Sequence, residues 1–128
     1  MSRVAAIILN YRRAEATLDC LAALSSTKGV DLDLLVVDNA SGDGSEEAIR
    51  KARPDVGLIQ TGSNLGYAGG MNAGLRRVVD EGLHDFVLLI NSDTLVDPDA
   101  VRTIVESLDG DPSAGAAAGI WLNPACCA

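Results

Sequence analysis

The chain has 128 residues, enough for one hydrophobic core and short for two. With 48% hydrophobic and 22% charged residues it reads as a soluble globular domain, not a disordered segment. A formal charge of −8 argues against nucleic acid as a partner, because that binding rests on clustered Lys and Arg.

In chain order, VAAIIL (4–9) is a continuous apolar run, too short to span a bilayer, which takes ~20 residues. It passes straight into Asn10-Tyr11-Arg12-Arg13, so it is not a signal-peptide core either. It predicts a strand buried on both faces. A helix is expected from Arg12 to Thr27, with Leu18, Leu21, Ala22 and Ser25 at steps of three and four and Cys20 as a small core residue. LDLLVVD (32–38) predicts a second buried strand. Ser45 is expected to cap a short helix that carries Glu46 and Glu47 in its first turn and stops before Pro54. GLIQ (57–60) predicts a third strand, and Met71, Leu75, Val78 and Val79 mark a third helix with Gly82 as its C-terminal cap. FVLLI (86–90) reads as another buried strand. Asp97 and Pro98 read as the cap and first position of a fourth helix, lined by Val101, Ile104, Val105 and Leu108. SAGAAAGIWL (113–122) is a weak candidate for a fifth strand.

Four alternations of strand and helix call for a mostly parallel α/β sheet, Rossmann-like, with helices on both faces. The expected organisation is a single domain over 1–128. Ligands of such sheets bind beyond the carboxyl ends of the strands. Those ends are Asn10-Tyr11, Asp38-Asn39, Thr61-Gly62 and Asn91-Ser92-Asp93. Cys20, Cys126 and Cys127 have no metal or redox spacing, and a reducing cytoplasm is the expected setting. His84 has no partner at ligand spacing and is expected at the surface.

Three stretches can carry chemistry. In VVDNASGDGS (36–45) Asp38 is the first residue off a buried strand, where it can accept from a base N–H or a ribose hydroxyl. Asn39, Ser41 and Asp43 equally suit an ordinary turn. SNLGYAGGMNAG (63–74) feeds a helix, and its glycines let backbone approach a ligand, with Asn64 and Asn72 to orient it. It is not a dinucleotide or P-loop fingerprint, and taken alone it reads as structural. Asn91-Ser92-Asp93 supplies oxygen ligands suited to Mg²⁺ or Mn²⁺, which take one or two carboxylates plus substrate phosphates. A plain turn explains Asp93 equally well. Tyr67 and Trp121 can stack on a base, though packing is the simpler role for Trp121.

Taken in order, AAIILNYRR, VVDNASGDGS, NLGYAGGMNAG and LLINSDTLVDPDAV resemble the nucleotide-sugar-binding half of a family 2 glycosyltransferase of the GT-A type, over roughly residues 3 to 110. The resemblance implies inverting transfer from a UDP- or dTDP-sugar, with Mg²⁺ or Mn²⁺, to a glycan or lipid-linked acceptor. It implies a substrate-binding set of Asn10, Tyr11, Asp38, Asn39, Asn64, Gly66, Gly70, Asn72 and Asn91, with Asp93 as the metal-binding acid of the D-x-D element. Asn91 stands where that element has its first acid, a form closest to rhamnosyl- and galactofuranosyltransferase-like proteins. The family's general base belongs to an acceptor half expected beyond Ala128. The implied setting is cytoplasmic, with room for peripheral association at the inner membrane face and for self-association. The competing reading is a catalytically incomplete nucleotide-binding or assembly module that covers an unfinished sheet edge. A phosphoacceptor domain fits worse: it wants acids where this chain has Asn10-Tyr11.

Overall fold

A computed structural model describes residues 1–120. Trp121, Cys126 and Cys127, and the last two residues of the proposed fifth strand, lie outside the described residues. The elements are β1 (Arg3–Asn10), α1 (Ala14–Ser25), β2 (Asp31–Asp38), α2 (Ser45–Ala52), β3 (Gly57–Gln60), α3 (Gly66–Glu81), β4 (Phe86–Asn91) and α4 (Ala100–Asp109). The strands form one parallel sheet in the order β3-β2-β1-β4. Residues 113–120 form no strand.

Side chains alternate across the sheet, so odd and even positions of each strand serve two different cores. Val4, Ala6 and Ile8 of β1 pack with Val36 and Ile90 beneath Cys20, Leu21 and Leu24 of α1, Ile49 of α2, and Val101 and Val105 of α4. Ala5, Ile7, Leu35 and Val37 meet Met71 and Val78 of α3 on the other face. Three helices thus cover one face and α3 alone the other. Going from β1 through β2 to β3 the chain moves one way, and α3 then carries it back to β4 on the far side of β1. That reversal puts a topological switch point between β1 and β4, where parallel sheets open a crevice at their carboxyl ends.

Glycines set how closely α3 lies on the sheet. A Cβ added at Gly74 would stand 2.6 Å from Ile7 Cγ2, and one at Gly70 would stand 2.4 Å from Leu9 Cδ1. Gly70 is therefore required for the packing of α3 on β1.

Local chemistry differs from the sequence expectations in several places. α1 starts at Ala14, because Arg12 adopts a left-handed φ of 55° that no helix continues. Ser45 does not cap α2 but is its first residue; Gly44 holds the cap position with φ of 87° and no side-chain cap bond, and Asp43 Oδ1 closes the preceding turn by accepting from Ser45 N at 3.0 Å and from the Ser45 hydroxyl. α4 begins at Ala100 and not at Pro98, and Asp97 Oδ1 closes the preceding turn by accepting from Asp99 N at 2.9 Å. Val79 is exposed, one step off the buried stripe of α3. His84 is not at the surface: only 5% of its side chain is accessible, and Nε2 lies 2.8 Å from Asp33 Oδ2.

β4 is the largest departure. Its apolar run implied burial on both sides, but among the described residues β4 is an edge strand and α3 sits mainly over β1 and β2, leaving Val87 and Leu89 38% and 48% exposed. Continuous apolar character is shared by central strands and by edge strands that lack a cover, and pattern alone does not separate them.

Candidate functional site

The register brings the predicted strand ends together. Asn10 pairs with Asp38 and Leu9 with Asn91, so β1 lies between the carboxyl ends of β2 and β4. Neighbouring strands are about 4.8 Å apart. The Asp38 and Asn91 backbones are thus about two strand spacings apart, on the same end of the molecule.

Asp38 is fully buried, and its carboxylate is saturated. Oδ1 accepts from Asn10 Nδ2 at 2.8 Å and from the Ser41 hydroxyl at 2.6 Å. Oδ2 accepts from Ser41 N at 3.1 Å and from Gln60 Nε2 at 2.8 Å. Burial alone would push its pKa up, but the hydrogen bonds from Ser41, Asn10 and Gln60 outweigh it and hold the carboxyl below the usual carboxylate range. Asn10 is equally committed. Its Oδ1 accepts from the buried Thr17 hydroxyl at 2.6 Å, which fixes the amide so that its NH₂ faces Asp38. Ser41 also holds the β1–α1 turn: its hydroxyl accepts from Arg12 N at 2.9 Å, and its carbonyl accepts from Arg12 Nε at 3.0 Å. Among the described residues Arg12 and Ala40, with φ of 55° and 59°, are the non-glycine residues held in the left-handed region. Both flank this cluster, where the surrounding bonds over-determine the backbone.

Asn39 ties the glycine-rich loop to the sheet. Its Nδ2 donates to Asn64 Oδ1 at 3.1 Å and to the Gly66 carbonyl at 3.0 Å, while its Oδ1 accepts from Leu65 N at 3.0 Å. Gly66 has φ of 73°, a backbone state that a side chain would strain. Asn10, Asn39 and Asn64 thus have side chains engaged with protein in this structure. They shape a wall. Tyr11 is exposed with the Arg12 guanidinium 5.2 Å from its ring centroid, and Tyr67 is exposed at the start of α3. Asn72 is exposed on α3, and Arg77 pairs with Glu81 at 3.0 Å along the outer surface.

At the end of β4 the situation reverses. Asn91 and Asp93 are exposed, and neither side chain has a hydrogen-bond partner among the described residues. Asp93 lies within a turn closed by Thr94 N, which donates to the Asn91 carbonyl at 3.1 Å. Asp93 is close enough to act electrostatically on the Cys20 thiol, which burial and then the Asp93 charge push up to about 11. No group of three or more His, Cys, Asp or Glu among the described residues can cage a metal. A free carboxylate next to a free amide oxygen fits a hard divalent cation that takes its other ligands from phosphates and water.

A cleft of about 440 Å³ opens beside Asp38, walled by Gly42, Gly44, Glu46, Gln60 and Gly62. Two members of this region were not singled out by sequence, Thr17 and Gln60, while Ser41, which suited a turn equally well, is engaged with Asp38. Thr17 left a trace, as a hydroxyl on the stripe it shares with Cys20, Leu21 and Leu24. Gln60 left none, since the carboxylates its amide donates to are fourteen and twenty-two residues away.

Comparison with known proteins fits this geometry. The family model for glycosyl transferase family 2 matches residues 5–125. The chain is 27% identical over 111 residues to a poly-beta-1,6-N-acetyl-D-glucosamine synthase of Staphylococcus aureus, covering 85% of this chain and 26% of that protein. It is 30% identical to an N-acetylglucosaminyl-diphospho-decaprenol L-rhamnosyltransferase of Mycobacterium tuberculosis, covering 81% of this chain and 36% of that protein. Among solved structures, the mannosyltransferase PcManGT of Pyrobaculum calidifontis, in complex with GDP-Man and Mn²⁺, superposes with a TM-score of 0.77 at 27% identity. That match covers 89% of this chain and 34% of PcManGT. S. aureus TarS in complex with UDP-GlcNAc shares the fold at a TM-score of 0.69 and 21% identity, over 84% of this chain and 31% of that one. The chain therefore spans about a quarter to a third of the length of these relatives. Among the described residues no helix is long and apolar enough to cross a membrane. With a parallel GT-A-type sheet and a family match over nearly its whole length, the chain belongs to glycosyl transferase family 2.

Proposed function

We propose that the chain is the donor-binding domain of a glycosyltransferase, which holds a nucleoside-diphosphate sugar at the carboxyl ends of β1, β2 and β4. The observation that carries this reading is the division of labour across β1. On one side Asp38 is buried and fixed; on the other Asn91 and Asp93 present unengaged oxygen donors to solvent. The nucleoside lies on the Asp38 side, bordered by Tyr11 and by the loop that Asn39 and Asn64 hold. The diphosphate reaches toward Asn91 and Asp93. Asp93, with Asn91 beside it, holds a Mg²⁺ or Mn²⁺ ion, which when bound neutralises the charge that builds on the leaving diphosphate. An acceptor hydroxyl on a glycan or a lipid-linked sugar attacks the anomeric carbon with inversion, the bond from that carbon to the nucleoside diphosphate breaks, and the hydroxyl proton passes to a general base of the acceptor half. A relative that transfers rhamnose and another that makes poly-N-acetylglucosamine leave the sugar itself open to either class. The setting consistent with such donors is the cytoplasm or the inner membrane face.

Titration calorimetry with UDP, dTDP and GDP, with and without Mn²⁺, tests the reading. Weak binding that strengthens with metal and loses that gain in Asp93→Ala is expected. Metal-independent binding unaffected by Asp93→Ala refutes the metal assignment.

The second reading, an assembly module, has its own observation. Among the described residues β4 is an edge strand with no charge, Pro or Gly in FVLLIN, so it lacks the usual protection against strand pairing. Antiparallel pairing with a second copy about Leu88 would set Val87 of each copy against Leu89 of the other. Sedimentation over a concentration series tests this; a dimer that Leu89→Lys disperses supports it, and a monomer throughout removes it.

A further inference from the structure

Asp38 borders the cleft, yet nothing can bind it as the protein stands. A carboxylate offers about four lone-pair positions. Asn10 Nδ2, the Ser41 hydroxyl, Ser41 N and Gln60 Nε2 fill them, two on each oxygen. Three of these donors come from buried residues. The fourth, Gln60, is exposed at the end of β3. Its Nε2 also donates to Glu46 Oε2 at 2.7 Å, and its Oε1 accepts from Gly62 N at 3.0 Å. Gln60, Glu46, Gly62 and Asp38 all line the same cleft.

We propose that the Gln60 carboxamide is a displaceable plug, standing in the empty protein where a nucleobase edge with an N–H beside a carbonyl binds. This rests on the donor-site reading above. The amide presents an N–H to Asp38 Oδ2 and a carbonyl to Gly62 N–H. Uracil and thymine carry the same pair as N3–H and C4=O, and guanine carries it as N1–H and C6=O. Such a base replaces both Gln60 bonds without leaving a buried lone pair or donor unpaired. Cytosine N3 and adenine N1 are acceptors, and against an ionised carboxylate they bring repulsion where a donor is required. The displaced Gln60 keeps its second N–H for Glu46. Gln60 therefore competes with the ligand, and the site charges a fixed toll for every base and returns it only to those with the matching edge.

The test is calorimetric titration of the full 128-residue chain with UDP, GDP, CDP and ADP in the presence of Mn²⁺, comparing wild type with Gln60→Ala. Removing the competing charge-assisted bond is expected to tighten UDP and GDP roughly tenfold while CDP and ADP stay weak. Binding of UDP by Gln60→Ala that is unchanged or weaker overturns the plug, and the donor site survives. Binding of CDP as tight as UDP overturns the base class. Absence of nucleotide binding in both proteins overturns the donor site and the plug with it. In wild type, the side-chain amide resonances of Gln60 are expected to shift on saturation with UDP, a readout that needs no variant. Amide resonances that stay in place while UDP binds overturn the proposal.

Discussion

Thr17→Val probes the buried cluster with almost no change in shape. Among the described residues the Thr17 hydroxyl is the donor that Asn10 Oδ1 has, at 2.6 Å and with no solvent access to either group. Valine fills the same volume and removes the donor, which leaves a buried carbonyl oxygen unpaired. That costs about 1–3 kcal/mol. The amide cannot escape by flipping, because its oxygen would then face the ionised Asp38 carboxylate that Asn10 Nδ2 now contacts at 2.8 Å. For a chain of this length each kcal/mol moves the melting temperature by roughly 3–5 °C, so the midpoint should fall by roughly 3–15 °C. Thr17→Ser keeps the hydroxyl and loses one methyl, at a cost of about 1 kcal/mol. Circular dichroism melts and urea titrations of the three proteins give the comparison. Thr17→Val within about 0.5 kcal/mol of wild type, or Thr17→Ser as damaging as Thr17→Val, would refute the claim that this hydrogen bond orients Asn10.

Two further outcomes follow from the same packing. The folded-state pKa of Asp38 is depressed, so its stabilising contribution is complete above the ordinary carboxylate range and is lost as pH falls through the folded value. Asp38→Asn should therefore be less stable than wild type by about 3 kcal/mol at pH 7, with the gap narrowing below that range; urea midpoints at neutral and acid pH measure it, and a constant gap contradicts the assignment. Gly74→Ala gains about 1 kcal/mol of helix propensity but sets a methyl 2.6 Å from Ile7 Cγ2 and 3.1 Å from Val37 Cγ2. Overpacking of about 1–3 kcal/mol should make the net change unfavourable, and Gly74→Val should be worse; a neutral Gly74→Val would contradict the close approach of α3.

What could be read from the residues was what depends on local pattern. The four apolar runs became four strands because continuous burial on a parallel sheet needs continuous apolar character. Asp38, Asn91 and Asp93 could be placed at a common end because strand alternation in a parallel sheet aligns all carboxyl ends. The position of β4 at an edge could not be read, since strand order is set by the crossover that α3 makes. The caps were misread for a related reason. In Asp43-Gly44-Ser45 and Asp97-Pro98-Asp99 the first acid closes a turn on the N–H two residues on, and each helix starts after that turn without a side-chain cap, a choice the residue types alone do not fix. Thr17 on Asn10 and Gln60 on Asp38 are tertiary pairs, so their meeting depends on the finished fold. His84 was hidden likewise, as only the folded β2 brings Asp33 to it.

The central claim is that a nucleotide's diphosphate and a divalent ion meet at Asp93 while the base sits across β1 by Asp38. Paramagnetic broadening of amide resonances by substoichiometric Mn²⁺ in the presence of UDP reads that position directly. Losses are expected first at Ser92, Asp93 and Thr94, spreading to Cys20, and abolished by Asp93→Ala. Broadening centred on Glu46 and Glu47, or unchanged in Asp93→Ala, would contradict it.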